Sequence, residues 1–231
     1  TYEVSGSCSD GSITVKKGVT GVELILGGIT LSSADGAPIC FNKSSTVTLT
    51  AKSGTVNTLS DTEKNNSDNY ADNQAAENAV IKCKDGSNVI IGGTGTINIS
   101  ANGKNGIKSG ETTETDGKAS LEIKEAVLNI EAPVNDAINA GASLLISSGT
   151  LNITAADDAV HSDYALTIGT KNGGSDPTIN IKSCYEGLEG ANITIESGSI
   201  KINATDDGIN AANSDLKGYA FTLDINGGNI Y

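Results

Sequence analysis

The stretch GTLNITAADDAVHS at residues 149–162 is followed by two variants of the same pattern, PTINIKSCYEGLEG at 177–190 and GSIKINATDDGINA at 198–211. In each copy two aliphatic residues flank one polar residue, and an acidic residue comes five positions after the second aliphatic residue. A small residue, an aliphatic residue and a polar residue then complete the copy. A unit that recurs at a near-constant spacing is typical of a repeat fold. What one copy can form therefore decides the fold of the chain.

The same unit recurs towards the start of the chain, at 120–141, 88–110 and 22–41. Asp136 and Asp158 are 22 residues apart, which sets the period. Each unit contains short runs in which apolar and polar residues alternate, separated by Ser, Gly, Asn and Asp. Alternation predicts strands with one buried face, and the small polar residues supply turns. The sequence therefore predicts an all-β fold, a single-stranded right-handed parallel β-helix with about eight coils of three short strands.

We interpret residues 1–231 as a single parallel β-helix domain that is interrupted by loop insertions. The insertions fall at 60–78, 111–118, 169–177 and 213–219. The first is the longest and the most acidic, and it enters where other coils have an acidic turn. Long loops in a compact fold are either solvated connectors or part of a binding face. Its position favours the binding face.

The composition limits the partners that the chain can bind. The net charge is −13 and the sequence contains no arginine, whereas nucleic acids and anionic membrane surfaces are bound through basic patches. We therefore expect no nucleic acid and no membrane insertion, and an acidic surface favours cations instead. The four cysteines form no C-x-x-C pair, so they are either buried thiols or, for Cys8 and Cys40, one disulfide.

The start of the chain leads to an expectation about where the protein works. The first residue is Thr1 rather than methionine, and no signal peptide is present in the sequence. We interpret the chain as a trimmed bacterial protein whose export signal has been removed, and we expect it to be secreted or held at the cell surface. We also expect it to act as a monomer.

Stacked coils turn the columns of the repeat into ladders. One inward column predicts a core ladder: Leu31, Ile99, Ile130, Ile153, Ile181 and Ile202. The residue before each of these faces outward, and in four consecutive units it is an asparagine: Asn98, Asn129, Asn152 and Asn180. Stacked asparagines hydrogen-bond along a ladder and stabilise it. Alternatively, the same flat row of amides meets the hydroxyls of a sugar.

Acidic residues form a further column at the turn before the third strand of each unit. The column reads Asn105, Asp136, Asp158, Glu186 and Asp207, with Asp157 and Asp206 one place earlier. Two carboxylates about 5 Å apart repel each other by roughly 3 kcal/mol at an effective dielectric of about 20. A calcium ion removes this repulsion, because it takes about six to eight oxygen ligands in irregular geometry. Zinc is disfavoured, since His161 is the only histidine and the cysteines lie elsewhere.

An ordinary turn is the alternative interpretation of this column. Asp followed by Asp or Gly is common in turns, where the carboxylate accepts backbone N–H bonds. Glu186 and Glu189 are poor turn formers yet hold the same positions, which favours a cation. Polar and aromatic residues beside the column are candidate ligand-binding groups: His161, Asn139, Tyr164 and Tyr185. Tyrosine rings stack on sugars, whereas a lone histidine is more often a surface or core group than a catalyst. No residue is assigned as catalytic.

Two coils near the end of the chain, E-G-L-E at 186–189 and D-D-G-I-N at 206–210, follow each other in order. They resemble the bacterial carbohydrate-binding parallel β-helix family, whose type member is shaped like calcium-dependent pectate lyases. The resemblance extends upstream through NDAIN at 135–139 and GKNGIKSG at 103–110. It implies binding of cellulose and polygalacturonate without clear lyase activity. It also implies calcium bound by turn residues, here Asp136, Asp157, Asp158, Glu186, Glu189, Asp206, Asp207 and Asn210.

Three functions remain open. The first is a secreted, non-catalytic carbohydrate-binding module for acidic plant polysaccharide, either polygalacturonate or pectin, with cellulose as a further candidate; calcium would bridge two negative polymers. The alternative is a polysaccharide lyase or hydrolase of pectate-lyase-like architecture. A lyase needs a Lys or Arg base beside the metal, and Lys104 and Lys108 lie two coils or more from Asp158. The third is a passive cell-surface rod or adhesin.

Overall fold

The computed structural model describes residues 1–111, 119–171 and 174–231. In these residues the regular structure is entirely β-strand. The strands are short because turn residues interrupt the alternating runs. Their bounds are β1 Tyr2–Cys8, β2 Ile13–Val15, β3 Val22–Ser33, β4 Ile39–Phe41, β5 Thr46–Ala51, β6 Val56–Asp61, β7 Ala79–Cys83, β8 Asn88–Gly92, β9 Thr96–Ser100, β10 Asn105–Ser109, β11 Ser120–Ile123, β12 Val127–Ala132, β13 Ile138–Ala140, β14 Ser143–Ile146, β15 Thr150–Ala155, β16 Val160–Ile168, β17 Thr178–Cys184, β18 Leu188–Ile195, β19 Ser199–Ala204, β20 Ile209–Asn210, β21 Thr222–Ile225 and β22 Asn229–Ile230.

The strand pairings within the described residues are all parallel, and each joins a strand to its equivalent in the next coil. Three stacks of strands result, and the predicted parallel β-helix is confirmed. The stack that matters for function, called the third face below, contains β2, β4, β7, β10, β13, the first parts of β16 and β18, and β20. Its eight strand segments correspond to eight coils.

The predicted aliphatic ladder forms the core of the coil. Ile99, Ile130 and Ile153 are register partners in consecutive coils, and each is at most 1% exposed. Leu59, which the sequence pattern left unassigned, fills the place between Leu31 and Ile99. A fully buried aliphatic side chain contributes about 1.5–3 kcal/mol by leaving water. The ladder therefore stabilises every contact between neighbouring coils.

The row of asparagines beside this core is hydrogen-bonded along its length. Asn129 donates from Nδ2 to Oδ1 of Asn98 over 2.8 Å, and Asn152 donates to Asn129 in the same way. Asn180 continues the row with a bond of 3.0 Å to Asn152. Each inner amide uses one donor and its acceptor within the row. The ladder interpretation of these asparagines is therefore confirmed.

The first loop covers residues 62–78 and is docked against the body of the coil. Asn65 is fully buried and donates to Oδ2 of Asp61 over 2.8 Å. The other oxygen of Asp61 accepts the backbone N–H groups of Asn102 and Gly103, at 2.7 and 3.0 Å. Buried polar groups with partners on two coils hold a loop in one position.

The remaining loops lie further along the chain. Residues 169–177 join β16 to β17, with 172–173 outside the described residues, and residues 211–221 join β20 to β21. The insertion expected at 111–118 falls almost entirely on 112–118, which also lie outside the described residues.

The cysteines are free thiols. Cys40, Cys83 and Cys184 are buried and Cys8 is exposed, so the disulfide considered for Cys8 and Cys40 is not formed. Burial raises the pKa of the Cys83 thiol to about 12, and a protonated thiol is a poor nucleophile. In the described part of the chain, no helix has the length and apolarity needed to cross a membrane.

Candidate functional site

The register of the third face places the acidic residues in one column. Backbone N–H groups of each coil donate to the carbonyl oxygens of the acidic residues in the next: Ala137 to Asp158 at 3.0 Å, Ala159 to Glu186 at 2.9 Å, and Gly187 to Asp207 at 2.9 Å. A small residue follows each acidic one, and at Gly187 the reason is the close approach of the next coil. A Cβ added to Gly187 would lie 2.3 Å from the carbonyl oxygen of Gly208.

A second column runs along the centre of the third face. It consists of Lys82, Lys108, Asn139, His161, Glu189 and Asn210. Two of its amides orient carboxylates of the acidic column. Asn139 donates to Oδ2 of Asp136 over 2.6 Å, and Asn210 donates to Oε2 of Glu186 over 3.0 Å. The two columns therefore form one hydrogen-bonded surface.

His161 lies among three carboxylates from two coils. Its Nδ1 contacts Oδ2 of Asp158, at 3.2 Å, and Oε2 of Glu189, while Nε2 is 2.9 Å from Oδ1 of Asp163. Burial alone would lower the pKa of the imidazole, but the three carboxylates outweigh it and raise the pKa to about 12. His161 is therefore an imidazolium, and it supplies positive charge beside Asp158 of the acidic column.

These three contacts show that His161 is part of an ion-paired group, whereas the sequence alone presents it as a lone histidine. The sequence pattern aligned His161 with Glu189 but did not show that Asp163 would close on the ring from the other side. Between Ser162 and Ala165, β16 has one residue more than β18, and the register shifts there. The resulting bulge places Asp163 beside Nε2.

Asp136, Asp157 and Asp158 form a carboxylate cluster that shares Asp158 with the group around His161. One oxygen from each lies within 4.8 Å of the others. Asp136 and Asp158 are 3% and 8% exposed, whereas Asp157 is exposed. Burial, and next the charge of Asp158, raises the pKa of Asp136 to about 6 despite the bond from Asn139. The pKa values of Asp157 and Asp158 are raised as well, chiefly by burial.

The lysines of the described residues do not neutralise this cluster. Their ion pairs lie elsewhere: Lys43 with Asp85, Lys52 with Glu3, Lys64 with Asp35, Lys84 with Glu77, Lys104 with Asp68 and Lys171 with Glu196. Three close carboxylates offer hard oxygen ligands and no sulfur, which suits calcium. The oxygens of Asp136 each accept one hydrogen bond, from Asn139 and from the N–H of Asp158, and each retains a further lone pair.

The other possible metal group already contains a positive charge. Asp158, His161 and Glu189 also have ligand atoms within 4.8 Å of one another. A protonated imidazole has no lone pair to offer a metal. The structure thus brings three of the eight sequence-predicted calcium ligands into one oxygen cluster: Asp136, Asp157 and Asp158. A fourth, Glu189, is instead paired with His161.

The remaining predicted ligands lie in the next coils. Asp206 and Asp207 are exposed, and Glu186 is half-buried with its carboxylate bonded to Asn210. Tyr185 is 48% exposed and its phenol is bonded to the carboxylate of Asp206, which raises the pKa of the phenol. Within the described residues these groups do not join a cluster of three ligating side chains.

An aromatic cluster borders the same face on its other side. The ring of Tyr164 meets Tyr219 edge to face, with centroids 6.3 Å apart and an interplanar angle of 76°. Phe221 lies 6.0 Å from Tyr219. The loop 211–221 reaches back over one coil, and Asn213 donates to the carbonyl oxygen of Asp163 over 2.9 Å. Tyr219 and Phe221 were not predicted; the Y-x-F spacing at 219–221 was the available signal.

Comparison with known proteins places these features in context. A family model described as carbohydrate-binding domain-containing protein matches residues 1–231. Among solved structures, the chain is similar to a polysaccharide lyase-like protein from C. thermocellum, determined as a gadolinium derivative. The TM-score is 0.56 and the identity 23%, over 100% of this chain and 84% of that chain, which shows a common fold. No curated protein matches in sequence.

Proposed function

The chain belongs to the family of carbohydrate-binding domain-containing proteins, and from that premise we propose that it is a secreted, monomeric module for acidic plant polysaccharide. Polygalacturonate and pectin are the proposed ligands, with cellulose as a further candidate. Calcium at Asp136, Asp157 and Asp158 mediates binding. The observation that supports this proposal is the close, lysine-free cluster of these carboxylates, which a divalent cation would relieve of its repulsion.

Each residue of the cluster has a distinct role in this proposal. Asp136 and Asp158 are buried and hold the ion from the protein side, while the exposed Asp157 contacts it from the solvent side. Asn139 orients Asp136, and His161 occupies one oxygen of Asp158, so that its other oxygen is directed away from the ring. Bound calcium supplies positive charge that attracts a sugar carboxylate to an otherwise negative surface.

Aromatic side chains supply the contact with the sugar ring. Tyr219 and Phe221 are 42% and 41% exposed, and they are held by the packing of Tyr219 against Tyr164 and of Phe221 against Tyr219. On the opposite side of the third face, Tyr185 follows Asp157 in the neighbouring coil, with its N–H bonded to the carbonyl oxygen of Asp157 over 2.9 Å. Tyrosine presents an apolar ring face together with a hydroxyl, which suits a sugar.

A polysaccharide lyase is the second candidate, and one observation favours it. Lys108 is the register partner of Asn139, so a lysine lies one coil from Asp136 and could act as a base. His161 is a poor base, because its raised pKa of about 12 keeps it protonated at neutral pH. Unsaturated uronate formed from polygalacturonate in calcium, measured by ultraviolet absorbance, would establish lyase activity in addition to binding.

Affinity electrophoresis in gels with and without polygalacturonate tests the binding proposal. We expect calcium to retard the chain and EDTA to abolish the retardation. The variant Asp157→Asn should lose retention, and Asp72→Asn, which removes an exposed carboxylate from the first loop, should not. Retention that EDTA leaves unchanged would exclude the calcium mechanism. Absence of binding to any acidic or neutral glycan would favour a passive rod.

A further inference from the structure

We propose that Lys82 and Lys108 form a second subsite on the third face, which binds the sugar carboxylates of an acidic polysaccharide. The inference rests on the proposed function, because it assigns residues to the uronate groups of the same ligand. Lys82 in β7 and Lys108 in β10 are register partners. Neighbouring strands are about 4.8 Å apart, so the two side chains leave the sheet side by side.

Both lysines face away from the core. Ile81 and Cys83 on either side of Lys82 are fully buried, and so is Ile107 beside Lys108. Because side chains alternate between the two faces of a strand, the lysines lie on the outer surface. Each is partly exposed. A ligand can therefore reach the ammonium groups while the aliphatic stems stay packed.

The carboxylates around this pair have other partners. Glu77 pairs with Lys84, Asp68 with Lys104 and Asp85 with Lys43. Within the described ranges, neither Lys82 nor Lys108 forms an ion pair. Among the described residues, the third face thus presents two adjacent lysines that interact with Glu77, Asp85 and Asp68 only beyond ion-pair distance.

Such a pair is unfavourable for the chain by itself. Like charges directly opposite each other on neighbouring strands destabilise a sheet. Burial, and next the charge of Lys108, lowers the pKa of Lys82, and the charges of Glu77 and Asp85 offset part of this effect. A bound anion would provide a further counter-charge.

The lysine pair continues directly into the carboxylate cluster. Asn139 follows Lys108 along the third face, and its amide donates to Asp136. A polyuronate has one carboxylate on each sugar. A chain laid along this face would meet the cluster with one sugar and the lysines with sugars about 5–10 Å further on. A compact lysine ammonium suits a single carboxylate.

A pair of double variants tests the subsite. Lys82→Gln with Lys108→Gln removes both charges, and Lys182→Gln with Lys201→Gln removes two exposed lysines from β17 and β19 on another face. The net charge changes equally in both. In affinity gels with polygalacturonate and calcium, we expect the first variant to bind at least about tenfold more weakly and the control to bind as the wild type does.

Two further measurements make the outcome unambiguous. Thermal unfolding should show the Lys82/Lys108 variant to be at least as stable as the wild type, since repulsion has been removed. Retention on neutral hydroxyethylcellulose should not differ between the two double variants. Polygalacturonate binding unchanged in the Lys82/Lys108 variant would overturn the subsite and leave the calcium mechanism standing. A wild type that does not bind polygalacturonate in calcium would overturn both.

Discussion

The imidazole of His161 and the carboxylate of Glu189 face each other from adjacent coils, in register between β16 and β18, and are joined through Nδ1 and Oε2. Asp158 and Asp163 hold the same ring from other directions. One imidazolium therefore balances part of the charge of three carboxylates, which coil stacking and the bulge in β16 bring together. The repeat creates the acidic column, and His161 in the neighbouring column supplies one positive charge beside it.

The first prediction concerns this ring. His161→Gln leaves the surrounding carboxylates without their cation, and removing one partner from a mostly buried ion pair is strongly destabilising. We expect the free energy of unfolding in EDTA to fall by about 3 kcal/mol, as measured by denaturant titration. Lys182→Gln, which removes one exposed positive charge elsewhere, should have little effect. Equal stability of the wild type and His161→Gln would contradict the role given to the ring.

The second prediction concerns the asparagine row. Asn129→Ala removes the bonds to Asn98 and Asn152 and should lower the free energy of unfolding by about 1 kcal/mol. Polygalacturonate retention should stay as in the wild type, because these amides bond to one another. Thr58→Ala, in the same column but outside the amide row, is the control. A loss of retention without a loss of stability would show that the row contacts the ligand.

Much of this architecture could be predicted from the sequence. The aliphatic and asparagine columns depend on the alternation of apolar and polar residues and on the repeat period. Both can be read from the sequence, so the positions of Ile130 and Asn129 were predicted correctly. Leu59 was missed because its run, VNTLSD at 56–61, has a buried Asn57 where the other units have an aliphatic residue. Asn57 bonds instead to the backbone N–H groups of Gly28 and Ile29.

Contacts between coils were harder to predict. Tyr219 meets Tyr164 because a loop crosses over an intervening coil, and the repeat pattern contains no information about loop paths. The bulge that brings Asp163 to His161 depends on one additional residue in β16. Lys82 and Lys108 align across β8 and β9 at a spacing of 26 residues, whereas Asp136 and Asp158 are 22 residues apart, so the period alone does not show this register. In each case three-dimensional register, rather than residue type, decides the contact.

The third prediction concerns the aromatic cluster. Tyr219→Ala removes the central ring between Tyr164 and Phe221. Loss of an aromatic contact costs about 0.5–1.5 kcal/mol, so we expect roughly three- to tenfold weaker binding to polygalacturonate oligomers in isothermal titration calorimetry. Tyr2→Ala, which removes a ring 67% exposed on β1, should bind normally. Equal affinities for both variants would exclude the cluster from the binding surface.

The fourth prediction concerns the titration of two aspartates at the first loop. Burial raises the pKa of Asp61 above its ordinary value, although the bonds from Asn65, Gly103 and Asn102 lower it in part. The bond to Lys104 lowers the pKa of Asp68. Carbon-13 NMR of the carboxyl groups should therefore show Asp61 titrating at a higher pH than Asp68.

The sign of the effect on stability follows from the raised pKa of Asp61. A folded-state pKa above the unfolded value of about 3.9 gives a stabilising contribution that is complete below that value. The contribution is lost as the pH rises through the folded-state pKa. The reverse order of titration, with Asp68 above Asp61, would contradict the buried position of Asp61 and with it the docking of the first loop.

The most direct test of the central claim is a crystal structure of the chain with calcium and a short oligogalacturonate. We expect an ion whose ligands include oxygens of Asp136, Asp157 and Asp158 at about 2.3–2.6 Å, with a sugar carboxylate completing its coordination. Density for the oligomer on the third face without an ion at these carboxylates would contradict the claim, as would an ion bound at another position that alone contacts the sugar.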